Sequence, residues 1–276
     1  MSDRSLTILI PAYNEEDRLP PVLEEYVHFF RKHYKAEFRI VVVVNGSRDR
    51  TMELVLEAAV KFPEIEGIEY KAPIGKGGAL IEGLKLASER ELIGFIDADG
   101  ATGPESFLKL ARRCGDHCDC VIGSRRVTGS VIHQSQPSNR LFASRVFHAI
   151  VQTLFHMDIA DTQCGAKVMR REVVEEIHEG LLTADMAFDI NLLYLIHRAG
   201  GKIVEYPIDW TDVVGTKVQY FRTSLVMFLS VVRLRLIYSP VYRMMEPIRP
   251  LEAWIYKLLR NPVPLPAKRL AKSDAD

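Results

Sequence analysis

The chain has no long apolar run. Its best candidate, residues 223–232, offers ten uncharged positions before Arg233, whereas a bilayer span needs about 20 apolar residues. Any membrane role is therefore expected to be peripheral. Excess charge of either sign is also missing. The 36 Lys and Arg balance the 36 Asp and Glu, which excludes a global field for nucleic acid. Cysteine is scarce: Cys114, Cys118, Cys120 and Cys164 are the four. The first three, with His117 beside them, lack paired zinc-site spacing and are expected as reduced, mostly buried thiols. No secretory signal is expected, because MSDRS leads straight into an apolar strand. The expected location is cytoplasmic, or peripheral on the cytoplasmic membrane face. Two nucleotide fingerprints are missing as well. Gly75-Lys76-Gly77-Gly78 does not have the order of a P-loop, and no GxGxxG follows the first strand.

What is present is an ordinary globular composition, 47% hydrophobic and 26% charged over 276 residues. That length buries a full core as one large domain, or as a domain with an appendage. Short apolar runs at 6–10, 39–44, 67–71, 92–96 and 118–122 alternate with helical periodicity at 19–34, 50–62, 76–89 and 104–114. This alternation predicts an α/β fold with a mostly parallel central sheet covered by helices. The second half is less regular. It offers helices at 139–157, 170–179, 187–198 and 218–238, a polar loop at 161–167 and a strand at 203–210. The expected division is a main domain over 1–218 and an amphipathic helical extension over 219–276.

Parallel α/β sheets gather ligands beyond the carboxyl ends of their strands. The chemistry-bearing residues fall there: 11–16, 45–49, 97–99 and 123–126. The stretch GFIDADGATGP places Asp97 and Asp99 directly after an apolar run. Carboxylates are hard oxygen ligands, and Mg²⁺ or Mn²⁺ commonly takes one or two of them plus phosphate oxygens and water. Asp99 is the expected metal ligand and Asp97 a contact to sugar or ribose; the plain alternative is a solvated acidic turn. Lys76 either meets phosphate or is a solvated lysine at a glycine-rich helix start. Asp161, Thr162 and Gln163 either line a sugar pocket, with Gly165 allowing close backbone approach, or form a capping turn.

LTILIPAYNEEDRLP, NGSRDRT, GKGGALIEG, FIDADGAT, IGSR, DTQCGAK, AFDINLLYL and GTK follow one another in that order. Together they resemble a family 2 glycosyltransferase with a GT-A fold, over roughly residues 5–240. More narrowly they resemble the dolichyl-phosphate β-glucosyltransferases, relatives of the dolichyl-phosphate mannose synthases. The resemblance implies inverting transfer of a hexose, glucose or mannose, from a nucleoside diphosphate sugar to a polyprenyl or dolichyl phosphate. It implies that Pro11, Ala12, Tyr13, Glu15, Asn45, Lys76, Asp97, Ala98, Asp99 and Gln163 form the nucleotide-sugar edge. It also implies a divalent cation, Mg²⁺ or Mn²⁺, at Asp99. The sequence departs from the pattern at Val44-Asn45-Gly46-Ser47, where relatives usually carry an acidic pair.

A phosphate acceptor is already largely ionised near neutral pH. The difficulty is then an anionic nucleophile approaching an anionic donor, which calls for positive groups more than for a base. Arg125, Arg126, Arg140, Arg145 and Lys217 are the candidates, with Arg125, Arg140 and Lys217 assigned to acceptor or diphosphate binding. Asp189 is expected to organise sugar or acceptor, with Asp185 as competitor or helix cap. The helix at 222–238 can lie at a membrane surface, or pack on the domain or a second copy of the chain. Two alternatives stay open: a soluble family 2 enzyme using a hydroxyl acceptor, and a non-enzymatic binder of nucleotide sugars.

Overall fold

The computed structural model describes residues 3–87, 89–115, 117–133, 138–185, 187–211 and 220–239, without the side chains of 138–144 and 220–225. Strands β1 (Leu6–Ala12), β2 (Phe38–Asn45), β3 (Ile65–Tyr70), β4 (Leu92–Phe95), β5 (Cys120–Ser124), β7 (Lys167–Arg170) and β8 (Ile203–Pro207) form one sheet in the order β3-β2-β1-β4-β7-β5-β8. β7 runs antiparallel to both its neighbours, and every other pairing is parallel. Two short strands, β6 (Val131–Ile132) and β9 (Asp209–Trp210), pair outside it.

The continuous apolar runs of β1 and β2 follow from burial on both faces. Leu6, Ile8 and Ile10 enter one core layer with Ile40, Val42 and Val44. Leu9 enters the other with Val41 and Val43. Helices α1 (Leu19–His33) and α4 (Pro104–Arg113) close the first layer, where fully buried Phe30 packs among Tyr26, Tyr34, Phe38 and Phe107. Truncating such a ring to Ala costs about 3–5 kcal/mol. Helix α1 begins with Pro20 and Pro21 in its first turn, where a missing N–H costs nothing. Its Tyr26 hydroxyl donates to Thr102 O at 2.7 Å and so anchors the loop after β4. α2 (Thr51–Lys61) packs on β3, and α5 (Ser138–Phe155) on α8 (Tyr220–Ile237).

The second layer is covered by α3 (Gly75–Leu86), α6 (Arg171–Ile177), α7 (Phe188–Arg198) and α8. α8 adds Val231 and Leu234 to this core. The Ser230 hydroxyl donates to Asp185 at 3.0 Å, and Asn191 Nδ2 donates to the Tyr238 oxygen at 2.8 Å. The described part of the 219–276 segment thus shares a core with the residues before it. Among the described residues, no helix is long and apolar enough to cross a membrane. All four cysteines are buried and free.

The expected strand at 203–210 divides into β8 and β9, β6 was not foreseen, and one element of the main sheet departs further from the sequence expectation. Residues 161–170 read as a polar loop running into a helix, yet Lys167–Arg170 forms β7 between β4 and β5. Because β7 is antiparallel, its first residue lies toward the carboxyl ends of its neighbours. The preceding loop therefore arrives at the same edge as the ends of β1, β2, β4 and β5.

Candidate active site

The loops after β1 and β2 are stitched into one unit. Asn14 takes a left-handed conformation (φ 54°). Its N–H donates to Ser47 Oγ at 3.0 Å, and its Oδ1 accepts from Arg48 N at 2.8 Å. Glu15 N donates to Thr51 Oγ1 at 2.8 Å, and Thr51 Oγ1 donates to Asp49 Oδ1 at 2.5 Å. Tyr13 stands on this unit 51% exposed, beside half-buried Pro11 and buried Ala12. Asn45 turns inward instead. It is buried, and its Nδ2 donates to Ala12 O at 3.0 Å, so its side chain joins β2 to β1.

Asp97 and Asp99 follow β4 and have different surroundings. Lys76 Nζ, from the first turn of α3, lies 2.5 Å from Asp97 Oδ1, with the two side chains 28% and 37% exposed. The backbone of Gly165 presses on the same carboxylate: a Cβ there would lie 2.0 Å from Asp97 Oδ2. Burial opposes ionisation of Asp97, but the charge and hydrogen bond of Lys76, with Lys167 and Arg125 further off, hold its carboxyl below the usual range. Those carboxylates in turn raise the Lys76 ammonium against its own burial. Asp99 moves the other way. Burial and the negative charge of Asp97 push its carboxyl up, against an N–H from Ala101 at 3.0 Å and the more distant Arg18 and Lys76. Ala98, between them, is buried.

Glu15 belongs to the same field. Burial raises its carboxyl, as do the charges of Asp99 and Asp49, while Arg18 opposes the rise through two contacts of 2.7 Å. This edge fits a hard divalent cation, because its donors are carboxylate oxygens and Asp99 sits in surplus negative potential. Among the described residues, no group of three or more His, Cys, Asp or Glu is placed to cage a metal. A cation at Asp99 would draw its remaining oxygens from phosphate and water.

Arg125 follows β5 and is fixed by buried Asp161. Its Nε and Nη2 donate to the two carboxylate oxygens at 2.7 and 2.9 Å, and its backbone N–H donates at 3.0 Å. Glu205 on β8 accepts from the N–H groups of Ala160 and Asp161, at 2.8 and 3.0 Å. The Arg125 guanidinium also lies over the Trp210 ring, 5.1 Å from its centroid. Burial acts against the charge of Arg125, but Asp161 more than compensates and raises its pKa; Asp97 adds to the rise. Gln163 is half-buried on the same loop, and Thr162 is buried.

The two competing aspartates are both engaged. Asp189, buried in the first turn of α7, lies 2.5 Å from the fully buried Lys167 Nζ. Asp185 Oδ1 accepts from Ala187 N at 2.8 Å in the turn before α7, and its Oδ2 accepts from Ser230. Gly77 lets α3 approach this region, since a Cβ there would meet Ala184 C at 2.7 Å. Lys217 and the side chain of Arg140 lie outside the described residues, and Arg145 is exposed on α5. The structure therefore brings Tyr13, Glu15, Lys76, Asp97 and Asp99 to one edge, with Arg125 within electrostatic reach of Asp97.

Arg18, Lys167, Glu205 and Trp210 were not singled out from sequence. Arg18 carried a signal, three positions after Glu15 on a helix start. The other three make contacts across long stretches of chain and carried none.

The sequence model of glycosyl transferase family 2 matches residues 7–178. The dolichyl-phosphate beta-glucosyltransferase of Dictyostelium discoideum is 33% identical over 247 residues, covering 84% of this chain and 74% of that protein. The enzyme of the same name from Homo sapiens is 30% identical over 247 residues, covering 85% and 76%. Among solved structures, glucosyl-3-phosphoglycerate synthase from Mycobacterium tuberculosis in complex with uridine-diphosphate aligns with a TM-score of 0.61 at 17% identity, covering 84% of this chain and 80% of that one. Mannosyl-3-phosphoglycerate synthase from Rubrobacter xylanophilus aligns with a TM-score of 0.59 at 17% identity, covering 88% and 75%. At these identities the structural likeness speaks for the fold.

Proposed function

Because the chain belongs to glycosyl transferase family 2, we propose that it transfers glucose from a nucleoside diphosphate sugar to a polyprenyl phosphate such as dolichyl phosphate, with inversion. The sugar and the acceptor follow the names of its relatives. The observation that carries the acceptor is Arg125, a cation fixed by Asp161 within electrostatic reach of the donor-edge carboxylate Asp97. A phosphate nucleophile needs such a charge, whereas a hydroxyl nucleophile needs an open base. Asp189 is paired to Lys167, and Asp185 accepts from Ala187 N and holds Ser230, which disfavours both as that base.

Tyr13 offers its exposed ring to the nucleobase, and Asp97, held by Lys76, meets ribose or sugar. Asp99 would hold Mg²⁺ or Mn²⁺, and that ion, when bound, would neutralise the diphosphate charge. Arg125, with Arg140 and Lys217, receives the acceptor phosphate. Its oxygen attacks the anomeric carbon from the face opposite the leaving group. The new carbon–oxygen bond forms as the bond to the diphosphate breaks, and the nucleoside diphosphate departs with that electron pair. A lipid acceptor requires contact with a membrane surface, and the segment from α8 onward is the proposed contact.

The test is mass-spectrometric product detection from a panel of sugar nucleotides with a polyprenyl phosphate and Mg²⁺ or Mn²⁺. A hexosyl-phosphoryl lipid is the expected product, lost in a folded Asp99→Ala variant. Turnover of hydroxyl acceptors alone would overturn the proposal.

A further inference from the structure

Lys167 has no part in the chemistry just described, yet it is a fully buried cation. Taking an ammonium out of water is costly, and a Met of similar length would fill the same space without that cost. The charge must be doing something that a packed chain would not. Its Nζ makes two short contacts: to Asp189 Oδ1 at 2.5 Å and to the Cys164 carbonyl at 2.6 Å. It also lies over the Phe95 ring, 5.3 Å from the centroid.

Each contact ends on an element next to Asp97. Phe95 is the last residue of β4, two before Asp97, and it pairs with Lys167 in the ladder between β4 and β7. Asp189 lies in the first turn of α7, where neighbouring Phe188 packs edge-on against Phe95. Cys164 O belongs to the peptide that leads into Gly165. That residue is the one whose backbone meets Asp97 Oδ2 too closely for a Cβ. The other oxygen of the carboxylate, Oδ1, is taken by Lys76. Both oxygens of Asp97 are thus accounted for, one by a charge and one by a backbone wall.

We infer that Lys167 is a positioning residue for Asp97: by holding the Cys164–Gly165 peptide, it sets the wall that fixes the rotation of the Asp97 carboxylate. Asp189 is the counter-ion that makes a buried lysine tolerable there. The clamp joins the end of β4, the 161–167 loop and the start of α7. It acts on the donor through Asp97 and has no contact of its own with the acceptor. This inference rests on the reading of Asp97 as a donor contact.

The experiment compares Lys167→Met, the charge-neutral pair Lys167→Met with Asp189→Leu, Gly165→Ala, and Asp97→Asn as reference. The double variant leaves no unpaired buried charge, so the test survives if Lys167→Met alone fails to fold; Gly165→Ala, whose Cβ would meet Asp97 Oδ2 directly, is the positive control for a displaced carboxylate. For each folded variant, thermal stability, donor KM, acceptor KM and kcat are measured. A carboxylate displaced by about 1 Å is expected to raise donor KM or lower kcat by about 10- to 100-fold, with acceptor KM unchanged. Gly165→Ala combined with Lys167→Met should be no worse for donor KM than either alone, as two changes acting through one peptide are non-additive. A purely structural lysine would lower stability and leave the donor constants alone; folded variants with that behaviour overturn the inference. If Asp97→Asn and Gly165→Ala raise donor KM and the folded Lys167 variants do not, the clamp alone is wrong. If Asp97→Asn also leaves donor KM and kcat unchanged, the donor reading falls and the clamp falls with it.

Discussion

Replacing Asp161 with Asn tests the support of Arg125 by removing a charge at nearly constant shape. The carboxylate accepts three hydrogen bonds from Arg125 and is buried, whereas the arginine side chain is 24% exposed. Breaking a buried pair costs about 3–5 kcal/mol. Partial exposure of Arg125 and its place over Trp210 lessen the loss, so about 2–4 kcal/mol is expected. For a domain of this size that lowers Tm by about 5–15 °C. The pH dependence has a definite sign. Burial works against the Asp161 charge, but the hydrogen bonds and charge of Arg125 outweigh it and hold the carboxyl below its usual value in the folded state. Its stabilisation is therefore full above the unfolded value of about 3.9 and is lost as pH falls through the lower folded value.

Urea unfolding of parent and Asp161→Asn, followed by tryptophan fluorescence between about pH 7 and pH 3, measures this directly. The gap in stability should stay constant down to about pH 5 and narrow below about pH 4. Equal stability at neutral pH, or a gap that widens on acidification, would refute the reasoning. In turnover assays the same variant should raise acceptor KM and leave donor KM near the parent value.

Three further outcomes are expected. Asp99→Asn should lower kcat by about 10²–10³-fold, as loss of one electrostatic stabiliser does, and flatten the Mn²⁺ dependence of turnover while the melting temperature holds. Tyr13→Ala removes an exposed ring and should leave Tm unchanged; calorimetric titration should show nucleoside diphosphate binding weakened by about tenfold, within the range of one stacked base. Asp185→Asn should cost about 1 kcal/mol through its contacts with Ala187 N and Ser230 and leave kcat with a phosphate acceptor unchanged. A fall of about 10²–10⁴-fold in kcat would instead mark Asp185 as a general base.

The parallel sheet was legible because burial on both faces writes itself into β1 and β2 as unbroken apolar runs. Asp97 and Asp99 were legible because they follow such a run. β7 was not: a four-residue strand, three of its residues paired on both sides and one of them a buried lysine, carries no period that distinguishes it from a loop entering a helix. The ion pairs that shape the site were hidden for a related reason. Asp161 and Arg125 are 36 positions apart, and Asp189 and Lys167 are 22 apart. Periodicity reports only neighbours within a turn or two, which is why, of the ion pairs described at the site, sequence spacing suggests only Glu15 with Arg18. Asn45 stands where a ligand contact was expected, and what spacing could not show is that its Nδ2 joins two strands.

These pairs also locate the charge that the site lacks. Asp97 has Lys76, Asp161 has Arg125 and Asp189 has Lys167. Asp99 has a backbone N–H and, at longer range, cations that mainly serve other carboxylates. It is accordingly pushed up where Asp97 and Asp161 are held down. A diphosphate entering beside Asp99 would add more negative charge to a region already in surplus. On the proposed function, donor and cation must therefore bind as a unit, and nucleoside diphosphate affinity should rise with Mn²⁺ far more in the parent than in Asp99→Asn.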